Sequence, residues 1–208
     1  MTIGGAKNAS RAALRPPLVV IGASAGGPAA LAVLLKGLPT GFPAAVVIVQ
    51  HVDERFIDGL TQWLAEQSGL PVRLAREGDR PAVGAPLLAG AAGHLAMRAD
   101  GRLGYVSEPR NHPYRPSVDV LFNSVNERWP GKVVGVLLTG MGADGAHGLR
   151  ALRLKGRHTI AQDQATSAVY GMPKAAAIAE AAVDILPLNR IASRLAEVFS
   201  ITMTGDAP

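Results

Sequence analysis

Leu18-Val-Val-Ile-Gly-Ala-Ser-Ala-Gly-Gly-Pro28 decides how the rest of this chain is read. Four apolar residues, three of them β-branched, stop at Gly22, and Ser24 follows between glycines 22 and 26. This is G-x-S-x-G, the nucleophile-elbow pattern, placed between a strand-like run and a helix-like stretch with leucines at 31, 34 and 35. Small residues are needed because a sharp strand-to-helix turn brings backbone close to backbone. A serine hydroxyl can then project at the apex, beside the free N–H groups of the helix start. If Ser24 has a base and an orienting acid elsewhere in the chain, the chain is a hydrolase.

Moving outward, apolar β-branched runs alternate with helical patterns, as in a three-layer, doubly wound α/β fold with a mostly parallel sheet and helices on both faces. A strand is expected over 44–50. It leads through His51 to a helix whose Phe56, Leu60, Trp63 and Leu64 are expected on one packed face. Val72–Ala75 reads as a third strand. Residues 78–110 break the rhythm with recurrent Gly, Pro and Asp. There Leu95–Arg98 and Leu103–Ser107, joined by Ala99-Asp100-Gly101, read as a β-hairpin excursion. Ser117 is placed to cap a helix carrying Val118, Leu121, Phe122 and Val125. Val133–Thr139 is the strongest strand in the chain. A strand near 159–162, a helix opening at Pro173, a strand at 184–188 and a last helix complete the pattern. The implied organisation is a flexible N-terminal tail over 1–17, one catalytic domain over 18–200 and a C-terminal tail over 201–208.

The 208 residues are 48% hydrophobic with 24 glycines, enough for one domain with a substantial core. No apolar run approaches the ~20 residues that span a bilayer, and the N-terminus has no secretory apolar stretch, so membrane insertion is not expected. With no cysteine, disulfide frameworks and thiolate metal sites are excluded and a cytoplasmic address is the default. The net charge of +5 suggests nucleic acid only superficially. Lys7, Arg11 and Arg15 supply +3 of it in the acid-free first 17 residues. No Lys/Arg stripe with interleaved aromatics appears in the body, so nucleic acid is not an expected partner. No H-x-x-x-H or H-E-x-x-H spacing occurs among the five histidines. Neither a metal nor a cofactor is therefore expected.

A parallel sheet gathers its reactive groups where the carboxyl ends of its strands meet their loops. Ser24 lies three residues past its strand, His51 directly past the second, and Asp144 a few residues past Val133–Thr139. The elements of a Ser-His-Asp relay thus fall on one sheet edge. A free hydroxyl is a poor nucleophile at neutral pH. Histidine, with an ordinary pKa near ~6.5, can take its proton and pass it to the leaving group. The aspartate fixes the tautomer and stabilises the imidazolium. Each residue also has a plainer reading. The Gly-rich loop can be a close-packed turn or a phosphate cradle, His51 a structural hydrogen-bonding residue, and Asp144 the cap of the following helix. A phosphate-binding regulator would want an acid at the second strand end for a ribose, where this chain has Gln50-His51. His94, His112, His147 and His158 are weaker candidates, His147 reading as an exposed helix position. The order Ser…His…Asp differs from the Ser…Asp/Glu…His of α/β-hydrolases, so an ordinary lipase or esterase is disfavoured.

Several motifs in order carry a family likeness. They are Ile21-Gly-Ala-Ser-Ala-Gly-Gly-Pro28, Ile48-Val-Gln-His51, Arg115-Pro-Ser-Val-Asp-Val-Leu-Phe122, Leu138-Thr-Gly-Met-Gly-Ala-Asp-Gly145, and Ile160-Ala-Gln-Asp163 with Gly171-Met-Pro173. The chain from 18 to about 192 resembles the catalytic domain of the CheB-type protein-glutamate methylesterases of bacterial chemotaxis. The resemblance implies hydrolysis of glutamyl methyl esters on the cytoplasmic helices of methyl-accepting chemoreceptors, with release of methanol. It also implies deamidation of certain receptor glutamines. It assigns Ser24 as nucleophile, His51 as general base and Asp144 as orienting acid. The resemblance also implies that the loop with Met141 and Gly142 borders the oxyanion site and that Ala25, Tyr114 and Arg115 lie next to the substrate. A same-fold esterase acting on another methylated signalling protein is the alternative.

The chain departs from the family pattern at three places. Ala25 stands where a hydroxyl residue is common. Val52-Asp53 replaces Met-Pro and is expected to bring an extra carboxylate near the base. Tyr114 stands where histidine is frequent. Many relatives also begin with a phosphorylatable receiver domain. The 17 residues before the first strand here imply a stand-alone esterase or a separate response-regulator activator acting in trans.

Overall fold

The computed structural model describes residues 15–200. The expected C-terminal tail, and the first 14 residues of the expected N-terminal one, lie outside them. The strand β1 (Leu18–Ala23) is followed by α1 (Gly27–Lys36), β2 (Ala45–Gln50), a 3-10 turn (Glu54–Phe56) and α2 (Ile57–Ser68). Two short strands come next, β3 (Arg73–Leu74) and β4 (Leu87–Leu88), then β5 (His94–Met97) and β6 (Leu103–Val106). The chain closes with α3 (Val118–Arg128), β7 (Val133–Leu137), α4 (Ala146–Leu154), β8 (His158–Gln162), α5 (Met172–Ile178), β9 (Asp184–Leu186) and α6 (Leu188–Ser200).

Seven strands form one sheet in the order β3-β4-β2-β1-β7-β8-β9, and every strand pairing in it is parallel. The chain runs outward from β1 to one side through β2 and returns to its other side at β7. The reversal of winding therefore lies at β1, where the carboxyl-end loops part and leave a crevice. A sheet buried on both faces needs apolar residues at every strand position, and β1 shows how they divide. Leu18 and Val20 face a core built with α3, α4, α5 and the hairpin. Val19, Ile21 and Ala23 face a second core built with α1, α2 and α6. The three-layer α/β/α expectation holds, and β5–β6 forms the expected antiparallel hairpin.

Two expectations are corrected. The segment 78–110 is not only an excursion, because Leu87 and Leu88 insert as β4 between β3 and β2. A two-residue strand among Gly, Pro and Ala carries no alternation by which it could be read. The face of α2 is also rotated. Ile57, Leu60, Thr61 and Leu64 are buried, whereas Phe56 is 61% and Trp63 38% exposed. Phe56 belongs to the preceding 3-10 turn, which Asp53 caps by accepting from Arg55 N–H. The inward stripe therefore starts one residue later than its most hydrophobic member suggests. No helix among the described residues is long and apolar enough to cross a membrane.

Phe122 is fully buried at the centre of the α3 face. Phe122→Ala is expected to destabilise the fold by about 3–5 kcal/mol through lost burial and a residual cavity. The check is a lower denaturant midpoint with an unchanged slope.

Candidate active site

The register of the central strands sets the site. Ala23 pairs with Gln50 and Gly22 with both Val49 and Leu137, so Ser24 and His51 leave their strands side by side. Two backbone bonds hold this edge, His51 N–H to Ala23 O at 3.0 Å and Ser24 N–H to Thr139 O at 3.0 Å. Gly26 takes a left-handed conformation, φ 76°, and caps α1, with Pro28 in the first helical turn. The strand-to-helix turn expected from G-x-S-x-G is thus present, with the left-handed residue at Gly26 and not at Ser24. Thr139 Oγ1 lies 2.9 Å from Ala25 O and accepts from Val169 N–H at 2.9 Å. It ties the elbow to the loop 139–145 that carries Met141, Gly142 and Asp144. Met141 is 65% exposed at the rim.

Asp144 is nearly buried and fully engaged. Its Oδ2 lies 2.8 Å from His51 Nε2 and accepts from Val118 N–H at 2.7 Å. Its Oδ1 accepts from Ser117 Oγ at 2.8 Å and from Asp119 N–H at 3.1 Å. The plainer reading, a cap for the following helix, fails: the N-cap of α4 is Gly145, and no side chain caps the helix. Asp144 instead sits on the amino end of α3, where the exposed N–H groups and the helix dipole favour an anion. Burial alone would raise its pKa. The hydrogen bonds from His51, Val118, Asp119 and Ser117 together outweigh that and hold it below the usual carboxylate range.

With Nε2 bound to the carboxylate, Nδ1 is the ring nitrogen of His51 left to act as acceptor. It is buried and has no hydrogen-bond partner among the described residues. The Ser24 hydroxyl likewise makes no hydrogen bond among the described residues. Tyr114 lies flat on the imidazole, ring centroids 4.4 Å apart and planes within 1°. A Cβ on Gly142 would crowd the Tyr114 hydroxyl, and its φ of 82° is one that L side chains rarely adopt, so glycine suits this loop position. Arg115, by contrast, directs its guanidinium to the carbonyls of Ser107 and Arg110. Asp53 is not a second partner of His51 either. Its carboxylate is held in a fork by Arg55 at 2.9 and 3.0 Å. That contact lowers its pKa.

The structure adds residues that sequence reasoning missed. Ser117 was readable as a helix cap, but its bond to Asp144 was not. His94 is fully buried. It receives Ser117 N–H on Nδ1 at 3.1 Å and has Nε2 3.1 Å from Pro109 O. Burial is the largest influence on it and lowers its pKa, which suits a neutral imidazole with one fixed tautomer. Gln50 is also buried, its amide reaching the backbone of both Ser24 and His51. Nothing local in the sequence marks either residue. His112, Asp119 and Asp144 form the group of potential metal ligands among the described residues, with donor atoms within 4.8 Å of one another. Both Asp144 oxygens already accept two hydrogen bonds each, at the positive end of a helix, so this set does not fit a cation.

Taken together these features define a doubly wound α/β protein with a Ser-His-Asp cluster at the carboxyl edge of its sheet. The CheB methylesterase family model matches residues 19–195, and the chain belongs to that family. A protein-glutamate methylesterase/protein-glutamine glutaminase of Pseudomonas syringae pv. tomato is 61% identical over 191 residues, 92% of this chain and 57% of the relative. A counterpart from Burkholderia lata is 64% identical over 89% of this chain and 55% of its own length. The chain therefore spans little more than half the length of these curated relatives. The crystal structure of the Thermotoga maritima CheB methylesterase catalytic domain superposes with a TM-score of 0.81 at 35% identity. That likeness covers 87% of this chain and 97% of the other.

The depressed pKa of Asp144 gives an acid-stability prediction. A carboxyl whose folded pKa lies below its unfolded value of ~3.9 stabilises the fold above that pH. The contribution disappears as pH falls through the folded value. Asp144→Asn removes it. The urea midpoint of the wild type should therefore drop more steeply than that of the variant between about pH 5 and pH 3.

Proposed function

We propose that this chain is the catalytic unit of a protein-glutamate methylesterase that acts in the cytoplasm on chemoreceptor helices. We further propose that it deamidates receptor glutamines by the same acyl chemistry. The observation that carries the reading is the state of His51: Nε2 is 2.8 Å from Asp144, while Nδ1 is buried and unpartnered, beside the strand end that presents Ser24. Family membership and the names borne by the relatives support the substrate class.

In this mechanism Ser24 Oγ attacks the γ-carbonyl of a methylated glutamate as His51 Nδ1 takes the hydroxyl proton. The tetrahedral oxyanion forms beside the start of α1 and the 141–142 loop, where the N–H groups of Ala25 and Gly142 are the candidate donors. Loss of one such donor typically costs ~10²–10³ in turnover. His51 returns the proton to the departing methoxide, and methanol leaves. Water, deprotonated by the same imidazole, then attacks the acyl-serine, and the imidazolium returns that proton to Ser24 Oγ as the ester bond breaks and the glutamate is freed. With glutamine the leaving group is ammonia. Asp144 stays ionised throughout and holds the Nε2 proton. A side-chain hydroxyl after the nucleophile is absent at Ala25, but its backbone N–H remains. Every step uses groups of this chain, the substrate and water.

Methanol release from a methylated receptor cytoplasmic fragment tests the reading. Release by the wild type that vanishes in Ser24→Ala is expected. Equal release from both, or none from either, would count against it. Asp144→Asn should retain the fold near neutral pH but lose about 10³–10⁴ in turnover, because the amide no longer selects the useful tautomer.

A further inference from the structure

Gln50 is the last residue of β2, and only 2% of it is exposed. Its Nε2 donates to Ser24 O at 2.9 Å and to His51 O at 2.8 Å. One amide thus uses both of its protons on the carbonyls of the two residues that must cooperate. Its oxygen Oε1 is buried with no hydrogen-bond partner among the described residues. It rests against Gly27, where a Cβ would collide with it. An unpartnered buried amide oxygen is unfavourable, and here it accompanies the two bonds that Nε2 makes. Past the last register pair, Ala23 with Gln50, the backbone bond from His51 N–H to Ala23 O continues the ladder, and the Gln50 amide is what links the carbonyls of Ser24 and His51 directly.

We infer that Gln50 is a positioning residue that clamps Ser24 to His51, and that Gly27 is glycine to admit its side chain. This rests on the relay proposed above. Asparagine is one methylene too short to reach both carbonyls. Leucine fills similar space without donors. An ionised glutamate would set a negative charge against two carbonyl oxygens, whereas its protonated form restores one donor.

Labelling by a fluorophosphonate reads Ser24 reactivity without any receptor substrate. Gln50→Leu is expected to slow the maximal labelling rate about 10–100-fold, the scale on which small misplacements act. The half-saturating probe concentration should change by less than about twofold. For Gln50→Glu, the rate relative to wild type at the same pH should rise as pH falls and the introduced carboxyl takes up a proton. Burial pushes that protonation toward neutral pH. A purely structural defect would lower the rate by one factor at every pH. Wild-type labelling by Gln50→Leu, or a pH-independent ratio for Gln50→Glu, overturns the clamp. If the wild type labels no faster than Ser24→Ala, the assignment of the nucleophile fails instead. The clamp is then read from the His51 Nε2–H proton resonance, which Gln50→Leu must shift or broaden. The His158 ring, paired with Asp184 at 2.7 Å between β8 and β9, should keep its signal. An unchanged His51 resonance again overturns the inference.

Discussion

A carboxylate seated on a helix end organises this molecule's reactive edge. Asp144 draws together Ser117, Val118 and Asp119 of the α3 start, His51 beyond β2, and its own loop beyond β7. In water such an ion would be well solvated. Here it has lost most of that solvation and recovers it from four fixed donors. A buried charge is tolerated only when its partners are in place. Anything that moves α3 therefore disturbs the imidazole. The hairpin takes part at one remove, because His94 holds the Ser117 N–H and so the geometry of the cap.

The imidazole is constrained from three directions. Asp144 fixes Nε2, Tyr114 covers one ring face, and Gln50 holds the backbone carbonyl behind it. What remains available is Nδ1. A proton acceptor that is buried and unpartnered is costly to maintain, which is one reason such groups collect at functional sites.

Much of this was legible in the sequence, and the boundary is physical. Leu18–Gly22 and Val133–Thr139 are long apolar runs ending in glycine-rich turns, so both strands and the residues just past them could be placed. The rule that reactive groups meet at the carboxyl ends then joined Ser24, His51 and Asp144. The capture of Asp144 by α3 was not legible. A serine before an apolar helix reads the same whether it caps only its own helix or also binds an acid 27 residues later. Gln50 read as the end of a strand, because nothing in I-V-Q-H shows that the side chain turns toward two carbonyls. Phe56 and Trp63 misled for the opposite reason. Hydrophobicity says that a residue gains from burial, while the helix start decides which residues obtain it.

The pairing of Ala23 with Gln50 carries one more consequence. Alternate residues of β1 feed different cores, so a slip by one position would turn each of them toward the wrong layer. A slip by two would keep the layers but set Ser24 beside Val49 or Asp53. Under the relay proposed for Ser24 and His51, strand alignment is therefore also a form of proofreading: a misaligned molecule would have no imidazole beside its serine, and activity would report that the chain has folded in frame.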